Sequence, residues 1–286
     1  MTENVLEPAL YIVPTPIGNM QDITDRAINV LKHADVICAE DTRHSMPLLT
    51  QIGVTLQKSK LISFHDHNET EKAEKISEII ESGKSVAIIS DAGTPLISDP
   101  GYHLVATCAQ KNIKVVPLPG ACAAITALCA SGFPTDRFLF VGFLPVKQEA
   151  LHKKLLSLEK ETGTMIFYEA PRRIIASMSA IAEVFNDREV VVARELTKTF
   201  ETFYRAKACD MVEVLKNDPN YEKGEMVIIL SPYREPEEKS VPDEALKLLK
   251  LLLAELPTKN AAQITAEYFG LKKNDLYKLA LSIQDK

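Results

Sequence analysis

The sequence predicts an α/β protein made of two α/β lobes and a small C-terminal all-α appendage with a helix-turn-helix pattern. Two observations predict this fold class. Apolar, β-branched segments recur at helix-length intervals with amphipathic segments between them, which is typical of sheets that carry helices on their faces. The strand pattern then stops after a polar, proline-bearing segment, and only helical patterns follow it.

The predicted strands are nine short apolar segments, a large number for one open sheet. They are residues 10–14, 35–39, 60–64, 85–89, 114–118, 137–142, 164–168, 189–193 and 225–230. The sequence PLPG at 117–120 interrupts the alternation of strands and helices, so we divide the strands there into an N-terminal α/β lobe (1–118) and a C-terminal α/β lobe (119–231). The alternation itself predicts mostly parallel sheets.

Amphipathic helices are predicted between the strands. Residues 22–33 and 69–82 each carry an apolar stripe at helical spacing, and the second segment ends before Gly83, a residue type that favours helix C-termini. Residues 171–185 begin with Pro171, which is favoured in a first helical turn.

The C-terminal part of the chain is predicted to be a helical domain behind a linker. The segment 231–244 is polar and holds three prolines, and we place the linker at 232–241. The domain at 242–286 has a helical pattern at 243–256, followed by a helix, a turn at Gly270 and a second helix. This spacing fits a nucleic-acid reader and fits a helical cap or dimerisation arm equally well.

Composition narrows the class of protein. The 286 residues are 46% apolar and 25% charged, which is ordinary for a globular enzyme. No apolar run approaches the roughly 20 residues of a membrane span, and the N-terminus has an acidic residue where a signal peptide carries positive charge. We therefore expect a cytosolic protein with no membrane partner. The net charge of −6 argues against nonspecific nucleic-acid binding but allows a local basic face.

The cysteines and histidines predict neither disulfides nor a metal site. The five cysteines form no C-x-x-C pair and lie in apolar sequence, which predicts buried, reduced thiols. The triplet His65-Asp66-His67 could present two imidazoles, but no Cys or His group stands at zinc spacing beside it.

Several common nucleotide and hydrolase motifs are absent from the sequence. It has no G-x-x-x-x-G-K-[ST], no G-x-G-x-x-G after the first strand and no G-x-S-x-G. A P-loop enzyme, a dinucleotide enzyme, an ordinary Rossmann-type methyltransferase and an α/β-hydrolase are therefore not indicated.

Three loops rich in proline and glycine stand where an open α/β sheet binds ligands, beyond the carboxyl ends of its strands. The first loop is 14–19, the second is 90–101 and the third is 117–124. Each could be a plain turn with a helix cap, as Asp99 before Pro100 would provide. Three such loops at strand ends favour a preformed small-molecule site instead.

The strings at these loops and further along the chain resemble one known family. They are YIVPTPIGNMQDIT, AEDTRHS, FHDHNE, SDAGTPLISDPG, PLPGACAAITAL, FVGFLP, FYEAPRR, ARELTKTFE and GEMVII. Together they resemble the ribosomal RNA small-subunit methyltransferase I family, in the tetrapyrrole-methylase-like superfamily. The similarity runs from about residue 10 to residue 230, and the helix-turn-helix tail also suits the family.

The resemblance implies two α/β lobes of the tetrapyrrole methylase type and a definite activity. The implied reaction is 2′-O-methylation of a cytidine ribose in the decoding region of 16S ribosomal RNA in the small ribosomal subunit, with S-adenosylmethionine (S-adenosyl-L-methionine) as cofactor. It also implies a homodimer. The residues that it assigns to the donor site are Pro16, Ser90, Asp91, Thr94, Cys122, Ala123 and Glu169.

The chemistry of such a transfer calls for a base or strong acceptor near the 2′-hydroxyl, worth typically ~10²–10⁴-fold in rate. The candidates at strand ends are Glu40, Asp41, His65 and Glu195, with Glu169 as a further acceptor. Asp41 could equally pair with Arg43 at the surface and cap the next helix, and His65 could be a hydrogen-bonded structural histidine. The sequence does not decide which of them is the base.

Cations that could contact RNA phosphate or ribose lie in the same strings. They are Arg43, Arg172, Arg173, Arg194 and Lys198. Arg172 and Arg173 could instead form a solvated face at a helix start.

Two rival functions remain open. The same scaffold could methylate a small metabolite, as the tetrapyrrole and diphthine methylases do. Alternatively, the C-terminal helices could belong to a non-enzymatic nucleic-acid-binding module. The match of motifs along both lobes favours RNA over a metabolite, and the acidic charge with the three loops disfavours the binding module.

Overall fold

The structure is a computed structural model that describes residues 6–54, 60–65, 69–235 and 241–284. The chain divides between Tyr233 and Arg234 into two compact units. Over these described ranges, the larger unit contains two five-stranded sheets and the smaller contains three helices. The exact lobe and linker boundaries given above stay predictions.

The first sheet is fully parallel, as predicted. Its strands are β1 (Leu10–Ile12), β2 (Val36–Ala39), β3 (Leu61–Ser63), β4 (Val86–Ile89) and β5 (Val115–Pro117), in the order β3-β2-β4-β1-β5. The helices are α1 (Asp25–His33), α2 (Thr42–Gln51), α3 (Glu69–Glu81) and α4 (Tyr102–Gln110). β2 and β4 are buried at every residue because helices cover both faces of the sheet. All five carboxyl ends therefore meet at one edge.

The second sheet is mixed, so the prediction of mostly parallel sheets is wrong for this lobe. Its order is β6-β7-β10-β8-β9, and only β6 and β7 are parallel. The strands are β6 (Phe138–Phe143), β7 (Thr164–Glu169), β8 (Glu189–Arg194), β9 (Thr202–Lys207) and β10 (Met226–Leu230). The helices of this lobe are α5 (Ala123–Ser131), α6 (Gln148–Ser157), α7 (Ile174–Phe185) and α8 (Ala208–Lys216).

All nine predicted strands are present, and β9 is an additional strand that the pattern did not reveal. Pro171 begins a short 3₁₀ turn, Pro171–Arg173, that leads directly into α7. The predicted helix start at Pro171 is therefore confirmed, although its first turn is tighter than an α-helix.

The smaller unit is a three-helix domain. Its helices are α9 (Asp243–Glu255), α10 (Thr258–Phe269) and α11 (Lys273–Gln284). Gly270 ends α10 at φ 65°, a left-handed conformation that glycine adopts without steric cost. Leu249, Ala262 and Leu276, one from each helix, lie in its core. The predicted turn at Gly270 is confirmed.

The thiols agree only partly with the prediction. All five cysteines are free, and Cys38 and Cys108 are buried, but Cys129 and Cys209 are exposed. Burial raises the pKa of the Cys38 thiol to about 12.

The described residues contain no group of three or more His, Cys, Asp or Glu side chains that could hold a metal ion. Asp66 and His67 lie outside the described residues. Within the described ranges, no helix is both long and apolar enough to cross a membrane.

Candidate active site

The three loops beyond the first sheet are tied to one another. Thr15 and Gly93 form an isolated antiparallel bridge between the first and second loops, with N···O distances of 2.9 and 3.1 Å. The hydroxyl of Thr94 donates to the carbonyl of Ala121 at 2.8 Å, which joins the second loop to the third. The loops therefore form one preformed surface rather than three separate turns.

The second loop has an unusual backbone. Leu96 and Ser98 adopt left-handed conformations at φ 73° and 69°. Such conformations cost free energy in non-glycine residues and persist where the surroundings fix them, often at functional sites. Ser90 is buried, and its hydroxyl donates to the carbonyl of Gly93 at 3.3 Å, so it shapes the start of the loop.

A cleft of about 440 Å³ lies between these loops and the carboxyl-end side of the second sheet. The first lobe contributes Ile17 and residues of the second loop, and the second lobe contributes Phe143, Tyr168 and Leu196. The size and the mainly apolar walls with a few polar groups are typical of a small-molecule site.

The charged side chains that line the cleft are all acidic. They are Glu40, Asp91, Asp99, Glu169 and Glu225, and the described lining includes no Lys or Arg. A cleft lined by one sign of charge focuses the field and attracts the opposite sign. Arg173 lies beside Glu169, and Lys198 pairs with Glu225, which offsets part of this charge. The excess of carboxylates in the lining suits a compact, positively charged ligand.

Most residues that the resemblance assigned to the donor site meet in this cleft. Those that line it are Asp91, Thr94, Cys122, Ala123 and Glu169. Pro16 and Ser90 do not line it: Pro16 is half-buried beside the lining residue Ile17, and Ser90 is buried beneath the loop. Asp91 also accepts a hydrogen bond from the amide of Asp41 at 3.2 Å, which ties the second loop to the end of β2.

Glu169 is a buried wall of the cleft with both oxygens engaged. Oε1 accepts from the amide of Ala170 at 2.8 Å, and Oε2 accepts a short hydrogen bond from the hydroxyl of Ser177. Nη2 of Arg173 lies 3.5 Å from Oε2. The same Nη2 donates to the carbonyl of Pro145 at 2.9 Å. Arg173 therefore links Glu169 to the Pro145 backbone and stabilises this side of the cleft. This geometry does not support its predicted contact with RNA.

Tyr168 is a cleft residue that the sequence did not single out. Its hydroxyl accepts from the amide of Ala124 at 3.1 Å, which joins β7 to the first turn of α5. Its ring packs edge-on against Phe140 and Phe143, at centroid distances of 5.0 and 5.6 Å. Burial, with a contribution from Cys122, raises the pKa of Tyr168 well above its ordinary value, so its hydroxyl stays protonated at neutral pH.

Of the four predicted bases, Glu40 alone lines the cleft. Asp41 caps α2 by accepting from the amide of Arg43 at 2.8 Å, and its carboxylate pairs with that guanidinium at 2.9 Å. The side-chain hydrogen bond from Arg43 lowers the pKa of Asp41 to about 2, which makes it a weak base. The alternative interpretation of Asp41 as a cap and surface partner is confirmed. His65 is half-buried after β3 and is not among the lining residues.

Glu195 is also poorly suited to be the base. It lies at φ 53°, and its Oε1 accepts from Nζ of Lys198 at 2.9 Å and from the amide of Glu225 at 3.0 Å. Burial raises the pKa of Glu195, but these hydrogen bonds and the Lys198 charge outweigh it and leave the pKa below its ordinary value. Its neighbour Leu196, rather than Glu195, lines the cleft.

The predicted RNA-binding cations divide into exposed and engaged groups. The Arg43 side chain is 90% exposed, and Arg172 is also exposed. Arg194 is buried, with Nε donating to the hydroxyl of Tyr204 at 3.1 Å and Nη2 lying 3.4 Å from the Asp218 carboxylate. This burial does not favour the predicted contact of Arg194 with RNA, which stays a prediction. Lys198 is held between the carboxylates of Glu195 and Glu225.

Two family profiles match the chain. The profile described as Tetrapyrrole (Corrin/Porphyrin) Methylases matches residues 9–211. The profile described as RsmI C-terminal HTH domain matches residues 239–284. The first match covers the first sheet and four strands of the second but ends before β10, and the second match covers the three-helix unit.

Relatives from several bacteria match nearly the whole chain. The protein from Vibrio cholerae serotype O1 named ribosomal RNA small subunit methyltransferase I is 52% identical over 275 residues, which cover 96% of this chain and 94% of the relative. The protein of the same name from Escherichia coli O157:H7 is 51% identical over 276 residues, which cover 96% and 95%.

Solved structures share the fold of the larger unit. Diphthine synthase gives a TM-score of 0.56 at 13% identity and covers 78% of this chain and 89% of its own. The methyltransferase CobJ gives a TM-score of 0.55 at 18% identity and covers 80% and 97%. Identities this low establish the architecture alone. The relatives and the two profile matches show that the chain belongs to the ribosomal RNA small subunit methyltransferase I family, on the tetrapyrrole methylase fold.

Proposed function

We propose that this methyltransferase transfers the methyl group of S-adenosylmethionine to the 2′-oxygen of a cytidine ribose in the decoding region of 16S ribosomal RNA. The observation that carries the proposal is the carboxylate-lined cleft between the strand-end loops and the second sheet. The names of the close relatives support ribosomal RNA of the small subunit as the substrate. The motif strings support the cytidine 2′-position.

The charge of the cleft suits the donor. When bound, S-adenosylmethionine supplies a methyl group on a sulfonium centre, and it carries a second positive charge on its amino group. Asp91, on the second loop, lies among the acidic lining residues and offers a negative charge to either centre. The small residues Cys122 and Ala123 let the backbone at the start of α5 approach a ligand closely.

The residues of the cleft also provide for orientation and proton removal. The three loops are fixed to one another, so the donor's position is set before the substrate arrives, and orientation of this kind supplies much of the rate. We propose Glu40 as the base for the 2′-hydroxyl, because it lines the cleft whereas Asp41, His65 and Glu195 do not. Glu169 also lines the cleft, but both of its oxygens already accept hydrogen bonds. No step of this transfer requires a metal ion.

We propose that the RNA substrate contacts exposed cations outside the acidic cleft. Arg43 follows Glu40 closely along the chain and projects into solvent, and Arg172 lies next to the lining residue Pro171. Guanidinium groups there would neutralise phosphates while a ribose reaches between them. Arg173, Arg194 and Lys198 are engaged within the lobe and are not part of this proposal.

A homodimer is part of the proposal. β6 is an edge strand of the second sheet, and Phe138, Phe143 and the nearby Val146 are 44%, 58% and 77% exposed. Apolar side chains along an exposed edge strand promote association unless another surface covers them. A second copy of the chain is the proposed cover.

The names of the close relatives favour RNA over a tetrapyrrole as the substrate. A non-enzymatic binding module is also disfavoured, since such a module has no use for a preformed cleft within the lobes.

One assay separates these functions. The protein is incubated with methyl-labelled S-adenosylmethionine and with naked 16S ribosomal RNA, assembled small subunits or a tetrapyrrole, and the position of the label is mapped by resistance of the ribose to alkaline cleavage. We expect label on RNA at one cytidine 2′-oxygen and none with Asp91→Ala at donor concentrations that saturate the wild type. Label on the tetrapyrrole alone, or on no acceptor, would overturn the proposal.

A further inference from the structure

The start of α4 is capped by a side chain from another helix. Its own N-cap residue is Gly101, which has no side chain to accept from the first free amides of the helix. Instead, Oε1 of Glu69, at the start of α3, accepts from the amide of Gly101 at 3.0 Å and from the amide of His103 at 2.7 Å. The carboxylate is buried, and an anion at a helix N-terminus is favoured by the helix dipole.

The glycine at the N-cap has a steric cause. Gly101 lies at φ 138°, and a Cβ atom there would stand 2.9 Å from Cγ of Leu96. A Ser, Thr, Asn or Asp cap, the usual solution, would collide with the folded-back second loop. The loop therefore depends on a carboxylate supplied from elsewhere in the chain.

The capped segment is also a wall of the cleft. Ile97, Ser98 and Asp99 line it, and only Pro100 separates them from Gly101, the first residue that Glu69 holds. A Cβ built on Gly142 of β6 would lie 3.7 Å from the Ser98 hydroxyl, so this part of the loop reaches across to the second lobe. A shift of Gly101 would therefore move this segment and change the width of the cleft.

We infer that Glu69 is a positioning residue for methyl-donor binding, which acts by capping α4 from α3 and so fixing the 96–101 segment against the second lobe. The inference rests on the proposed function for the identity of the ligand. The hydrogen bonds that carry it do not depend on that identity.

The chain offers a matched control at the opposite edge of the same sheet. Oδ2 of Asp35 accepts from the amide and the hydroxyl of Ser85, at 2.8 and 2.7 Å, where β2 and β4 begin. Asp35→Ala also removes two hydrogen bonds to one carboxylate oxygen, but at the end of the sheet away from the cleft.

The experiment compares Glu69→Ala, Glu69→Gln and Asp35→Ala in the full chain by thermal denaturation, by calorimetric titration with S-adenosylmethionine and by amide exchange of the segment 97–105 without ligand. We expect both alanine variants to lower Tm. Only Glu69→Ala should speed exchange of that segment and weaken donor affinity by about tenfold or more, a change of about 1.4 kcal/mol. Glu69→Gln keeps an acceptor oxygen and should restore affinity to within roughly threefold.

Two results would overturn the inference: unchanged exchange of the segment in Glu69→Ala, or a donor affinity no lower than that of Asp35→Ala. If the wild type bound no donor at all, the proposed function would fail, and with it the role of Glu69 in donor binding. The exchange measurement would then decide separately whether the cap itself exists.

Discussion

The backbone of Gly120 packs directly on the ring of Pro14, so that a Cβ atom on Gly120 would lie 2.4 Å from Cβ of Pro14. This contact joins the third loop to the first, as the Thr15–Gly93 bridge joins the first to the second. A glycine at position 120 is therefore required by the shape of the site, since two loops cannot approach this closely with a side chain between them.

Gly120→Ala is expected to separate these loops and to lower donor affinity by about tenfold or more. The measurement is calorimetric titration, with circular dichroism to give the folded fraction. Gly132→Ala is the control at the other end of α5, because Gly132 has a left-handed φ of 83° but no atom within 4 Å of its added Cβ. It should cost about 1–2 kcal/mol of stability through backbone strain and leave donor affinity unchanged. Wild-type affinity in folded Gly120→Ala would contradict the role of this contact.

Neutralising the adjacent carboxylates Glu40 and Asp41 should have different effects on methylation: a large loss of activity at Glu40 and little change at Asp41. Glu40→Gln is expected to lower kcat by ~10²–10⁴-fold with donor affinity retained, because Glu40 is the proposed base. Asp41→Asn should retain most of the activity, since the pKa of Asp41 is held at about 2 by Arg43 and Asn is also a good helix cap. Single-turnover methylation of the RNA measures both. A large loss in Asp41→Asn with normal activity in Glu40→Gln would reverse the assignment.

Arg43→Ala should impair the RNA step more than donor binding. Removing one phosphate contact is expected to raise KM for RNA and to reduce the slope of log affinity against log salt by about 1. Lys114→Ala is the control, because Lys114 also forms an exposed ion pair, with Glu7, but at the edge of the first sheet where the strands begin. Equal losses of RNA and donor affinity in Arg43→Ala would count against a substrate contact.

Acid should remove the stabilising effect of Glu195. The pKa of Glu195 in the folded protein lies below its ordinary value, which is about 4.3 in the unfolded chain. The ionised carboxylate therefore adds to the free energy of unfolding above about pH 4.3, and this contribution is lost as the pH falls through the folded-state pKa. Glu195→Gln should therefore be less stable than the wild type at pH 7, and the difference should shrink toward pH 3. Urea unfolding at the two pH values measures this, with the exposed Glu189→Gln as control. A constant difference across this range would show that the carboxylate charge is not what stabilises the segment.

The sequence predicts the strands well where they are buried on both faces and poorly where they are not. β2 and β4 are continuous apolar runs, whereas β9 mixes polar and apolar residues and is a half-exposed edge strand. The mixed direction of the second sheet could not be predicted from apolar content, because a buried strand has the same composition in either direction.

The candidate site was predictable at its loops but not in its details. Asp91 and Thr94 stand in a string whose proline, glycine and small residues indicate a ligand loop. The burial of Arg194 and the bracing role of Arg173 depend on partners far along the chain, Asp218 and Pro145, which no local pattern reveals.

The most direct test is a crystal structure of the protein soaked with S-adenosylmethionine. We predict that the ligand lies in the cleft between the second loop and β7, with a positive centre facing the Asp91 carboxylate and the start of α5 alongside it. Clear density for the ligand at another place, with the cleft filled only by solvent, would contradict the proposed donor site.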